Sequence, residues 1–399
     1  MLSSSRLEKY AQVLLWGIKT AKKTPFKKND IVLLRFDPPG LRLAEAVYEL
    51  ILDNGFNPVV RAGLSPALDH SFYARASRKQ LEFVTPGEKE LMENLNASIY
   101  IHAPESLTHL SDIDPGKMGK SLVARKFLRE ITQRREEEGV YSWTLCLYPT
   151  EELSRKAGMS LKAYAGQVVK ACYLDRENPV KEWENIYKET KKIKDWLKSM
   201  KIETLHIESE NTDLIIGPGK KRQWVGVSGH NIPSFEIFLS PDWHFVEGVY
   251  HADQPSYRSG NYVADVRLVF KRGRVVESSA EEGEEFLKKQ LAMDAGACRV
   301  GEFSLTDKRF SRISRFMANT LYDENFGGRF GNCHLAVGSS YADSYTGDPA
   351  ELNKDMKKKL GFNDSALHWD LVNTENKTVT ALISGSGKRI IYENGMFKY

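Results

Sequence analysis

Two histidines and several carboxylates stand at spacings that suit metal chemistry. The stretch from Glu324 to Asp370 carries His334 in the run CHLAV and His368 in ALHWDLV, with Asp370 two residues after the second histidine. Both runs are short and apolar, with β-branched or aromatic members, which predicts strands. Residues two apart on a strand share a face, so His368 and Asp370 present an imidazole and a carboxylate side by side while Trp369 faces the other way. Glu236 in NIPSFEIF and Glu302 in CRVGEFSL follow turn-like residues, where a strand end would aim them into a shared cleft. Imidazole is a borderline donor, so a mixed His and carboxylate set suits Zn, Co or Mn better than Ca or Mg. The residue types alone leave a second reading open, in which each histidine is an ordinary packed or surface residue. Cys333 adjoins His334, but on a strand it points to the opposite face and is not expected to be a ligand.

The elements that must hold these residues fall into two groups. Apolar positions at Leu7, Tyr10, Ala11, Leu14, Leu15, Ile18 and Ala21 form a helical stripe over 5–22. Strands are predicted at 31–36, from Asn57, at 97–103 and at 141–148. Helices are predicted at 41–55, stopped by Gly55, and over a long charged run at 116–138. Strands alternating with helices argue for a mainly parallel sheet covered on both faces. No GxGxxG or GxxxxGK[ST] follows any of these strands, so nucleotide binding is set aside. Asn178-Pro179 opens a further helix to about residue 200.

After a strand at 204–210 the character changes. DLIIGPGKKRQWVGV reads as two strands around a Gly-rich turn. A hairpin turns near Arg272-Gly273, and Asn394-Gly395 marks another. Helices are predicted at 281–295, 306–320 and 350–360. The expected organisation is an α/β domain over 1–205 walling the cleft, and a β-rich α+β domain over 206–399 that carries the metal site. His244 and His251, with Glu247 and Asp253, sit in a segment of mixed composition that predicts an irregular connection, with His251 and Tyr257 as candidate cleft-wall residues.

Composition sets the outer limits. The 399 residues are 41% hydrophobic and 28% charged, an ordinary globular balance with room for two or three domains. A net charge of +4 is too small to argue for nucleic acid. No apolar run approaches the roughly 18 residues of a membrane span, and the charged N-terminal stretch does not read as a signal peptide. The four cysteines lack CxxC spacing, so thiols in a reducing cytoplasm are expected.

The ordered pieces NIPSFEIFLSP, VGEFSL, LYDENFGG, CHLAVGSSY and ALHWDLV, with SWTLCLYPTEELSRKAGMS in the N-terminal half, resemble the thermophilic aminopeptidase family of metallopeptidases, the aminopeptidase T and S type. The resemblance spans roughly the whole chain. It implies Glu236, Glu302, His334, His368 and Asp370 as metal ligands, Tyr341 as an active-site phenol, and Glu324 as a further ligand. The segment from Glu324 to His334 is longer than in the shortest members, and the other reading of Glu324 is a capping or surface acid. The resemblance also implies a homodimer with broad preference for the N-terminal residue. The expected activity is removal of N-terminal residues from peptides at a pair of divalent cations, with Glu302 between them and Tyr341 serving the oxyanion. Two alternatives stand beside it: a deacylase using the same ligands, and a binding protein on a peptidase scaffold.

Overall fold

The computed structural model describes residues 2–399, which form two compact units. The first comprises the chain up to Trp183 together with 228–232, and the second comprises 184–227 and 233–399. This division differs from a single cut near residue 205. The Pro179–Ser199 helix runs across it, and its Ile193 and Leu197 are buried in the core of the second unit. A short return at 228–232 then supplies the last strand of the first unit.

The first unit is built on a five-stranded parallel sheet. Its strand order is Asn57–Ala62, Ile31–Phe36, Ala97–His102, Ser142–Leu147 and Asn231–Ile232. The Ser4–Ala21 helix buries the predicted stripe, including Leu7, Tyr10, Leu14 and Ile18. Its Gly17 allows close approach, because a Cβ there would lie 2.7 Å from the carbonyl oxygen of Gly229. The long charged helix expected at 116–138 is instead two helices, Pro115–Ala124 and Lys126–Glu137. Arg125 breaks it: the backbone leaves helical geometry there, and its guanidinium donates to the Leu81 and Phe83 carbonyls.

The second unit is a sandwich of two antiparallel sheets. The larger runs Arg274–Ser279, Val266–Lys271, Val246–Ala252, Asp213–Ile216, Ile202–Glu208, Thr378–Ile383, Gly387–Glu393 and Met396–Phe397. The smaller runs His368–Asn373, Asn332–Gly338, Val300–Thr306 and Glu236–Leu239. Both predicted hairpin turns are present, with Arg272 and Gly273, and Asn394 and Gly395, at positive φ as the tightest hairpin turns require. Apolar side chains from both sheets fill one core, among them Leu205, Ile207, Leu214, Leu268, Phe303, Leu335 and Leu371. Two tyrosines of the large sheet bridge the layers: Tyr250 donates to the Leu371 carbonyl at 2.7 Å and Tyr392 to that of Thr306 at 2.7 Å. Each places a hydroxyl where a buried carbonyl needs a donor.

Two expectations fail here for physical reasons. Residues 306–320 do not form a helix; 307–319 are irregular. Two buried carboxylates redirect the backbone: Asp323 accepts from the Met317 and Asn319 N–H groups, which a helix would have turned to its own carbonyls, and Asp307 accepts from Arg309 and from Phe397 of the last strand. The second strand expected in DLIIGPGKKRQWVGV is reduced to isolated bridges, Arg222 with Tyr345 and Val225 with Phe238. No described helix is long and apolar enough to cross a membrane. None of the four cysteines is in a disulfide among the described residues.

His251 is not a cleft-wall residue. Its Nδ1 lies 2.9 Å from Glu375 and its Nε2 2.7 Å from Asp265. Glu375 also accepts from Ser209 at 2.5 Å and from Asn211 at 2.7 Å. Burial opposes ionisation of Glu375, but hydrogen bonds from Ser209, Asn211 and His251 prevail and hold its carboxyl down at about 2. Burial likewise opposes the imidazolium, yet Asp265 and Glu375 raise His251 above its ordinary 6.5. Glu375 therefore stabilises the fold above its unfolded value of 4.5 and loses that contribution as pH falls toward 2. His251 stabilises below 6.5 and loses its contribution as pH rises through its raised value. Urea unfolding of His251→Gln and Glu375→Gln should therefore show the largest deficits against the wild type between pH 4.5 and 6.5. The His251→Gln deficit should narrow at higher pH and the Glu375→Gln deficit at lower pH. Deficits independent of pH would mean that packing, not charge, is what the pair contributes.

Candidate metal centre

Register in the small sheet decides which side chains meet. Ala336 lies opposite both Glu302 and Asp370, His334 opposite Ser304 and Val372, Gly338 opposite His368, and Thr306 opposite Glu236. Directly opposed residues of an antiparallel pair point to the same side. With the period of two, one face therefore carries Glu236, Glu302, His334, His368 and Asp370, spaced by the small residues Ser304, Ala336 and Gly338. The other face carries Ile237, Leu239, Phe303, Leu305, Cys333, Leu335, Val337, Trp369 and Leu371, all buried in the sandwich core. Cys333 thus points away from His334, as strand alternation requires.

A bulge aims Glu302. The ladder shifts between Val300 and Glu302, with Gly301 as the extra residue. A Cβ at Gly301 would stand 2.2 Å from the Ser339 carbonyl oxygen and 2.5 Å from that of Gly338, so only glycine fits. The same Ser339 carbonyl accepts from Nδ1 of His368 at 2.8 Å. His334 is held in the matching way, its Nδ1 at 3.3 Å from the Glu324 carbonyl. A carbonyl only accepts, so both Nδ1 atoms carry hydrogen. Each Nε2 then faces the carboxylates, the orientation that carbonyl partners impose on metal-binding histidines.

The Nε2 atoms converge on the acids. That of His334 lies 3.0 Å from Glu302, 3.7 Å from Glu236 and 3.9 Å from Asp370. That of His368 lies 3.3 Å from Asp370 and 4.0 Å from the second oxygen of Glu302. Glu236, Glu302 and His334 offer ligand atoms that all lie within 4.8 Å of one another. Glu302 stands between the two imidazoles, one carboxylate oxygen toward each. Glu324 comes from the loop after the Thr320–Asp323 helix and is buried, which removes the surface-acid reading. Tyr341 leans on His368 with ring centroids 4.6 Å apart and on Phe238 at 5.9 Å, and remains 45% exposed.

The charges do not balance within the polypeptide. Burial raises Glu236 to about 7, with Glu302 and Asp370 adding to the push against His334, and burial with the neighbouring anions raises Glu324 well above its usual value. Burial would lower both imidazoles, but the Glu302 hydrogen bond and the Asp370 charge carry His334 to about 9, and Asp370 carries His368 to about 9. Burial raises Asp370 too, yet the two imidazoliums hold it at about 2. Protons and imidazoliums are standing in for positive charge at the centre of the cluster. Four carboxylates and two correctly turned imidazoles fit divalent cations of the Zn, Co and Mn class, because cations supply that charge directly.

Several supporting residues carried no signal in the sequence. Ser234 donates to Glu236 at 3.2 Å. Asn325 accepts from the backbone N–H of Phe235 at 2.5 Å. Arg258 donates to the His368 carbonyl at 2.8 Å. Asn325 and Arg258 act across distances that only the fold creates. His244 pairs with Asp242 and stacks on Trp243, and Tyr257 packs with Tyr262 and Phe316.

A buried imidazole–carboxylate cluster on one face of a sheet is the kind of site on which hydrolytic metalloenzymes are built. The chain belongs to the thermophilic metalloprotease family (M29), whose family model matches residues 3–397. It is 28% identical over 343 residues to aminopeptidase AmpS of Bacillus subtilis, covering 80% of each chain. It is 24% identical over 412 aligned positions to aminopeptidase PepS of Streptococcus thermophilus, covering 98% of this chain and 97% of the other. Wild-type AmpT from Thermus thermophilus shares its fold, with a TM-score of 0.80 across 100% of both chains at 21% identity.

The charge arrangement makes a measurable statement about chelator-stripped protein. His334 and His368 should stay protonated at pH 7.5 and titrate near 9, followed by ¹⁵N resonances of the imidazole nitrogens. Two midpoints at the ordinary 6.5 would show that the carboxylates do not face these rings.

Proposed function

We propose that the chain is an aminopeptidase that hydrolyses the first bond of peptides with two divalent cations held by Glu236, Glu302, Glu324, His334, His368 and Asp370. The observation that carries this is the placement of five of these side chains on one sheet face, with Glu302 between the two imidazoles. Bound cations supply Lewis acidity toward the scissile carbonyl and a lowered pKa for water. The chain's own residues supply the rest. Glu302 and Glu324 are the carboxylates we assign to move the proton from water to the leaving amine. Tyr341 keeps its hydroxyl protonated, since partial burial and the repulsion of Asp370, Glu302, Glu324 and Glu236 all oppose ionisation. Its O–H is thus available to donate to the developing oxyanion. Selection for a free amino terminus needs an anion for the ammonium group. A carboxylate oxygen of Glu324 left free by the cations is the candidate, since this residue comes from a loop and not from the sheet. Four cysteines outside any disulfide support action in a reducing compartment.

Two measurements test the reading. Stripping with a chelator should abolish hydrolysis of aminoacyl anilides, and Co, Zn or Mn should restore it. Full activity in metal-free protein would end the proposal. A free amino terminus should also be required. Peptides should be trimmed stepwise, and N-acetylated versions should be rejected by about 10⁴-fold, as a site built around a polar group rejects an analogue lacking it. Preferential hydrolysis of N-acylated amino acids would replace the aminopeptidase with a deacylase on the same ligands.

A further inference from the structure

His368 and Asp370 sit on the least supported strand of the site. His368–Asn373 is the outer strand of the small sheet and pairs only with Asn332–Gly338. The Leu367 carbonyl turns inward to accept from the Ser339 N–H at 2.7 Å. Successive carbonyls of a strand alternate sides, so that of His368 points to the open edge. An edge carbonyl with no neighbouring strand leaves the strand end free to shift. Here Arg258 fills the gap, its Nη1 donating to the His368 carbonyl at 2.8 Å.

Arg258 is itself fixed. It belongs to a hairpin of Ser256–Arg258 and Asn261–Val263 that turns through Ser259 and Gly260, both at positive φ. Its Nε donates to Gln290 at 3.2 Å, and its guanidinium carbon lies 5.7 Å from the Trp369 ring. Ser256, at the other end of the same strand, accepts from the Trp369 indole N–H at 3.0 Å. The hairpin thus grips two consecutive residues of the ligand strand, one through backbone and one through side chain.

We propose that Arg258 is a positioning residue of the metal centre: by holding the open-edge carbonyl of His368, it sets the orientation in which His368 and Asp370 meet the cations. This rests on the metal reading above. The positive guanidinium also lies close enough to favour the Asp370 anion. A hairpin that merely covered the sheet would need neither the hydrogen bond nor the charge.

The test uses the full chain, stripped with a chelator, as wild type, Arg258→Gln, Arg258→Lys and Ser256→Ala. Zn²⁺ binding is measured by calorimetry, beside thermal midpoints and kcat and KM on an aminoacyl anilide. Arg258→Gln should weaken Zn²⁺ binding about 10- to 100-fold, the usual cost of losing an outer partner of a ligand. Its kcat should fall while KM stays within about twofold, because the lost interaction orients catalytic groups and not substrate. Arg258→Lys keeps a charge and a donor and should recover most of the affinity. Ser256→Ala should lower the thermal midpoint with Zn²⁺ affinity unchanged. A lowered midpoint in Arg258→Gln with unchanged Zn²⁺ affinity would overturn the inference, as would Arg258→Lys binding no better than Arg258→Gln. Failure of the wild type to bind Zn²⁺ would overturn the metal reading itself, a result distinct from any change confined to the Arg258 variants.

Discussion

Mutual repulsion of buried carboxylates is the constraint on which the rest of this structure turns. Glu236 and Glu302 bring ligand oxygens within 4.8 Å of each other, and Asp370 and Glu324 add to the same field. One pair of unit charges at that separation costs roughly 3–4 kcal/mol at an effective dielectric constant of about 20. Several such pairs would rival the roughly 5–15 kcal/mol that holds a domain together. The cluster therefore persists only with positive charge at its centre. Two imidazoliums serve in the free protein, with Glu236 and Glu324 both pushed toward their neutral forms. Glu236 and Glu324 are raised because burial and the neighbouring anions outweigh what His334 offers Glu236, while Asp370, facing both imidazoles, is depressed.

Concentrating that charge on one side of a sheet demands compensation on the other. The reverse face of the four strands is apolar apart from Asn373 and closes the sandwich core. Strand alternation makes this division automatic: the residues that alternate with Glu302, His334, His368 and Asp370 along their strands point into the core. Trp369 between His368 and Asp370, Cys333 before His334 and Phe303 after Glu302 are all buried against the larger sheet. The price of a polar face is then met locally by rigidity, and substitution at the small face residues Ser304, Ala336 and Gly338 would fill the space the ligands require.

What the sequence showed follows from the range of each interaction. The His368–Asp370 pair and the outward turn of Cys333 depend only on alternation within a strand, and both were legible. The Asn394-Gly395 and Arg272-Gly273 turns depend on local φ preference, and they were legible too. That Glu302 and Asp370 flank the same Ala336 depends on cross-strand register, which the bulge at Gly301 shifts by one residue and which no single segment encodes. The helix expected at 306–320 failed because Asp323, beyond its end, takes the Met317 and Asn319 N–H groups, and Asp307 is engaged by the distant Phe397 N–H. The Lys126–Glu137 helix is separate from its predecessor because Arg125 reaches carbonyls more than forty positions back, at Leu81 and Phe83. Arg258 left no trace for the same reason, since its partner lies 110 positions away.

The irregular stretch that defeated the helical pattern leads into the residue that brings the fourth carboxylate. Asp323 gathers the Met317 and Asn319 N–H groups, and the next residue, Glu324, turns into the cluster while its carbonyl receives His334. One residue further, Asn325 is buried and accepts from Phe235, which immediately precedes Glu236. The Glu324 loop and the entry to the Glu236 strand are thereby joined through one amide side chain. These are the two acids with raised values, the pair most in need of added positive charge. A shift of either backbone is passed to the other through Asn325, so the loop carboxylate is held to the sheet almost as closely as if it were part of it. The Met317 and Asn319 N–H groups, which a helix would have turned to its own carbonyls, go instead to Asp323 and fix the backbone from which Glu324 extends.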